Sequence, residues 1–154
     1  LLKSKTQEED RNVRNELLKA LIERNPFDLP ENLVRAQARS LAQDFAANLK
    51  ERGFQESLIQ DAVKSEEKAL LERAETQVRS GLILEAVARA EKLDVTAEDL
   101  NAEIAKMADE NSVTVAEVRE YLAKDAQRFD GFRFHLMEEK TIQFLLKEAK
   151  IRAS

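Results

Sequence analysis

One histidine, His135, and no cysteine occur among the 154 residues, so the usual carriers of metal and nucleophilic chemistry are almost absent. A lone imidazole holds no metal, and no acidic residue stands at a convincing ligand spacing from it. Its neighbours Phe134 and Leu136 are apolar, which reads as a packing or surface histidine rather than a proton carrier. The serines have no partner histidine in any arrangement resembling a hydrolytic triad. Two carboxylate pairs occur, Glu66 with Glu67 and Glu138 with Glu139. Both fall on predicted helices and read as solvated faces. No glycine-rich phosphate loop is present. The expectation is a chain that is not an enzyme, with no catalytic residues, no metal and no cofactor.

Composition narrows the partners. Hydrophobic residues make up 43% and charged residues 36%, with 5% aromatic and no Trp. That balance suits long exposed helices better than a thick core. The net charge is −5 with both signs interspersed, so there is no basic stripe to grip nucleic acid. No run approaches the roughly 18 apolar residues of a membrane span. The chain begins Leu1-Leu2-Lys3 without Met or a signal pattern, and it reads as a fragment of a longer protein.

Helix punctuation organises the rest. The first segment, to about Arg24, carries a helical stripe of Val13, Leu17, Ala20 and Leu21, and its polar first dozen residues read as frayed or solvent-facing. Pro26 and Pro30 break the chain, and Asp28 with Glu31 suggests a capping box. A helix to about Arg52 presents Val34, Ala38, Leu41, Phe45 and Leu49 on one face, and Gly53 ends it. Residues 57–92 contain no proline and read as one helix of about 36 residues, roughly 54 Å long. A compact chain of this size would be about 38 Å across, so an elongated all-α domain with helical-hairpin arms is expected. Thr96 with Asp99, and Thr114 with Glu117, form two further capping boxes 18 residues apart. A last helix runs from about Asp125 to Lys150. Phe129, Phe132, Leu136 and Leu146 outline one of its faces, and Phe134, Met137, Phe144 and Ile151 another. A helix apolar on two faces is buried between layers or offers one face to a partner.

Four stretches carry a family resemblance: residues 25–34 (NPFDLPENLV), 77–88 (QVRSGLILEAVA), 93–108 (LDVTAEDLNAEIAKMA) and 138–150 (EEKTIQFLLKEAK). In order and spacing the chain resembles the C-terminal domain of trigger factor, the bacterial ribosome-associated chaperone. The resemblance implies residues 1–154 as a single helical domain around a cradle, without ATP use, in the cytoplasm. It implies unfolded or nascent polypeptides as partners, with ribosome and prolyl isomerase functions residing in domains outside this sequence.

On that footing the candidate client-binding residues are Met107, Tyr121, Leu122, Phe129 and Phe132, with Phe54 and Phe134 beside them. Leu82, Ile83, Val87 and Leu136 are assigned to the core. The competing reading is a helical scaffold or adaptor that docks one folded partner or dimerises through its arms.

Overall fold

Three helices of this chain stop on the same backbone motif, in which the chain turns left-handed for one residue and two amides fold back on the last helical turn. The computed structural model describes residues 2–153, with side chains placed for 5–150 and 152. Among the described residues there are seven helices and no strand: α1 (Leu2–Arg24), α2 (Glu31–Glu51), α3 (Glu56–Ser65), α4 (Glu67–Ala90), α5 (Ala97–Glu110), α6 (Val115–Ala123) and α7 (Ala126–Ala153). The all-α expectation holds.

The shared stop ends α2, α4 and α5. After α2, Gly53 has φ +85°, its N–H donates to Lys50 O at 2.9 Å, and the Phe54 N–H donates to Leu49 O at 3.1 Å. This satisfies carbonyls that the helix end would leave without partners. Lys92 (φ 54°) ends α4 and Ser112 (φ 53°) ends α5 with the same pair of bonds, reaching Arg89 and Ala88, and Asp109 and Ala108. A side chain in the left-handed region costs roughly 1–2 kcal/mol, a strain that glycine avoids.

Starts are equally local. Thr96 and Thr114 each accept the backbone N–H of the residue three on, while Asp99 and Glu117 accept the threonine N–H. Both expected boxes form. The third does not. The cap position of α2 is Pro30, whose carbonyl accepts Leu33 and Val34, and no side chain caps it. Asp28 lies two residues too early, and Glu31 instead pairs with Arg35 along the helix.

The expected continuous helix over residues 57–92 is two helices. Glu66 interrupts it at φ −94° and ψ 0°. No glycine or proline is responsible. The Ser65 hydroxyl donates to Ala62 O at 2.8 Å, a carbonyl that also accepts the Glu66 N–H. Such hydroxyl back-bonding competes with the helical ladder and bends it.

The residues divide into two compact units, Leu1–Arg14 with Leu84–Ser154, and Asn15–Ile83. In the second, Val34 of α2 and Ile59 of α3 are buried, and the half-buried Gln37 amide donates to Gln77 of α4 at 2.8 Å. Arg79 of α4 lies over the Phe27 ring, 5.1 Å from its centroid, and donates to the Phe27 carbonyl at 2.6 Å. That double contact pins the 25–30 link.

In the first unit, Ile104 and Ala108 of α5 meet Val118 and Leu122 of α6, with Met107 and Phe132 against them. Lys140 of α7 reaches Asp94 O and the Asp99 carboxylate, both at 2.8 Å, tying α7 to the α4–α5 link and its capping box. Leu84, Leu136, Ile142 and Thr141 are buried, and the Thr141 hydroxyl donates to Met137 O at 2.7 Å. Ile83 is buried too, in the other unit, while Leu82 and Val87 are half-buried.

Backbone conformation at the stops is directly testable. A Cβ added at Gly53 meets nothing within 4 Å, so Gly53→Ala isolates the left-handed strain. It should lower unfolding free energy by about 1–2 kcal/mol in chemical denaturation. Lys92→Gly should do the reverse, raising stability by about 0.5–1 kcal/mol because glycine also gains freedom in the unfolded chain.

Candidate functional site

Among the described residues no aromatic ring is fully buried. Phe45, Phe132 and Phe144 are half-buried, and Phe27, Phe54, Phe129, Phe134 and Tyr121 are exposed. Leaving a large apolar side chain in water rather than in a core forgoes about 1.5–3 kcal/mol each. The core instead uses aliphatic and small residues.

Local geometry fixes where these rings stand. Phe54 and Val113 each directly follow a left-handed stop residue, and they remain 48% and 41% exposed. The stop that ends the helix thus holds an apolar side chain at its rim. Phe54 shares the α2–α3 turn with Leu58, 54% exposed in the first turn of α3.

In the other unit Tyr121 near the end of α6 and Phe129 near the start of α7 flank the α6–α7 junction. Tyr121 is 53% exposed, and Arg128 lies over its ring at 4.1 Å from the centroid. The same guanidinium donates to the Tyr121 carbonyl at 3.0 Å. Asp125 accepts the Gln127 N–H at 2.9 Å, which orients the first turn of α7.

The candidate residues therefore separate. Tyr121, Phe129, Phe134 and Phe54 lie at the surface. Leu122 does not: it is 4% exposed and belongs to the α5–α6 core. Adjacent helical positions point about 100° apart, so only one of Tyr121 and Leu122 can face inward. Met107 and Phe132 are half-buried against that same core. Phe129 and Phe132, three apart, do not share one degree of exposure. Leu33, Leu58 and Leu71 are exposed but lay outside the expected set. Of the α7 faces, Leu136 is buried and Phe134 exposed, while the Ile151 side chain lies outside the described residues.

His135 is exposed. Among the described residues no three His, Cys, Asp or Glu side chains come together as a metal site. Glu138 and Glu139 are not the solvated pair expected. Arg14 of α1 forks onto both carboxylate oxygens of Glu139 and holds it below the usual glutamate range. Burial pushes the Glu138 carboxyl up. Partners 125 positions apart give no sequence signal. Lys140 is the main cause holding Asp99 down to about 2, helped by the Thr96 amide and hydroxyl.

Comparison with known proteins places this geometry in a family. The family description "Bacterial trigger factor protein (TF) C-terminus" matches residues 1–147. A trigger factor of Geotalea uraniireducens (strain Rf4) is 33% identical over 143 residues, covering 90% of this chain and 32% of that protein. One from Anaeromyxobacter dehalogenans (strain 2CP-C) is 34% identical over 141 residues, covering 91% and 32%. One from Geobacillus kaustophilus (strain HTA426) is 29% identical over 157 residues, covering 99% and 36%. The chain thus spans about a third of the length of these curated relatives. No solved structure matches it. No described helix is long and apolar enough to cross a membrane.

A first expectation tests the assignment of surface and core. Tyr121→Ser with Phe129→Ser should change the melting temperature little. Leu122→Ala should cost about 2–5 kcal/mol, and Phe132→Ser about 1–3 kcal/mol because its ring is only half-buried. Thermal and denaturant unfolding of the three variants would show it; equal losses would place Tyr121 and Phe129 in the core.

The second expectation concerns acid. Asp99 has its folded pKa below the unfolded value, so its contribution is whole above about pH 4. It is lost as pH falls toward about 2. Lys140→Met should flatten this acid limb in stability measured from pH 5 to pH 2. An unchanged limb would mean the Lys140–Asp99 contact is not what lowers Asp99. With residues 1–147 matched, this chain belongs to the bacterial trigger factor C-terminal family.

Proposed function

We propose that this chain is the client-binding part of an ATP-independent chaperone. It holds unfolded or nascent polypeptides through separate small apolar patches. The observation that carries this reading is the exposure of five of the eight aromatic rings, three on helices and two in the links that join them. An unfolded client presents apolar side chains to water, and each patch covers a few of them weakly. Several weak contacts on one client add through effective concentration. Folding of the client buries those side chains and ends the interaction, so release requires no nucleotide. The mixed charges around the patches keep the empty surface wet. Membership of the trigger factor C-terminal family supports the same reading. Prolyl isomerase activity and ribosome docking are assigned to parts of the longer relatives that this chain does not span.

The test is aggregation of two unrelated denatured proteins, followed by light scattering with and without the purified chain and without ATP. The chain should slow both at micromolar concentrations and should not turn over a proline peptide. Suppression of neither, or tight binding to a single folded partner only, would contradict the proposal.

A further inference from the structure

We infer that Arg128, laid on the Tyr121 ring, makes the α6–α7 patch selective for client segments in which an aromatic side chain has a carboxylate close by in sequence. The inference rests on the client-binding reading above and names the class of segment that this patch prefers.

Local charge accounting carries it. Glu117 is occupied by the Thr114 N–H at 2.7 Å and the Thr114 hydroxyl at 2.8 Å. Glu120 pairs with Lys124 at 3.3 Å, and Asp125 accepts the Gln127 N–H. Asp130, two residues beyond Arg128, points away by about 200° around the helix. Among the described residues Arg128 is therefore left with an aromatic ring and a carbonyl, and with no carboxylate. It is also half-buried, so it has lost part of its hydration without gaining a counter-charge.

Such a cation gains more from an incoming carboxylate than a fully hydrated one does. Its remaining N–H groups are free to donate in pairs, as guanidinium groups do to carboxylates. The outer face of the guanidinium is flat and weakly hydrated, so a client ring can stack on it or on the exposed edge of Tyr121. Phe129, 37% exposed, follows Arg128 at the same end of α7. A lysine in place of the carboxylate would meet like charge.

Three labelled peptides test this, alike except for the residue two positions after a single Phe: Glu, Gln or Lys. Fluorescence anisotropy against the whole chain should rank them Glu, Gln, Lys, with about three- to tenfold between the extremes at low salt. Added salt should compress the ranking. Arg128→Gln should abolish it while Phe-dependent binding remains. Arg128→Lys keeps the charge but not the planar stack, and should retain only part of it. A ranking that survives Arg128→Gln, or no ranking in the unaltered chain, would overturn the inference. Denatured client proteins, run alongside, separate the two levels. If they are held while the peptides are unranked, only the Arg128 selectivity fails; if they are not held, the client-binding reading fails with it.

Discussion

Helix ends are the constraint on which this structure depends. There is no sheet ladder among the described residues, no disulfide, and a core of aliphatic side chains without a buried ring. With so little bulk to enforce direction, the chain turns where backbone groups at helix ends find partners. Left-handed stops at Gly53, Lys92 and Ser112 close one end of a helix, and capping boxes at Thr96 and Thr114 open the next. Lys140 then makes the second capping element a tertiary contact by bonding Asp99 and Asp94 at once. Ending helices this way also sets Phe54 and Val113 at the surface, so fold and surface chemistry share one cause.

That dependence explains what could be seen in the sequence. Capping is local, and Thr96, Thr114 and Gly53 mark their boundaries by residue type. The alternation of Val34, Ala38, Leu41, Phe45 and Leu49 fixes the inner face of α2 because helical period is also local. Other features were hidden for physical reasons. The interruption at Glu66 comes from a serine hydroxyl, a weaker breaker than glycine or proline and one that often sits harmlessly in helices. Asp28 looked like a cap until the helix began two residues later at Pro30. The Arg14–Glu139 pair joins residues 125 apart. Leu122 and Tyr121 are neighbours of similar apolar weight, and only the rotation of α6 against α5 decides which is buried.

The same separation organises function. The buried residues of α5 and α6 are aliphatic, with Phe132 only half-buried against them, which leaves most of the rings to the surface. A surface of small, separated patches favours many weak contacts over one strong interface, and that suits partners defined by being unfolded rather than by a shape. Arg128 adds a chemical bias to one patch without enlarging it.

The central claim is that clients touch the exposed rings and leave the core undisturbed. Amide and methyl NMR of the isotope-labelled chain, titrated with an unfolded client, tests it most directly. The account predicts fast-exchange shifts concentrated at Phe54, Leu58, Tyr121, Phe129 and Phe134, with Ile104, Val118 and Leu122 unmoved. Shifts centred on Ile104, Val118 and Leu122, with the exposed rings silent, would contradict it.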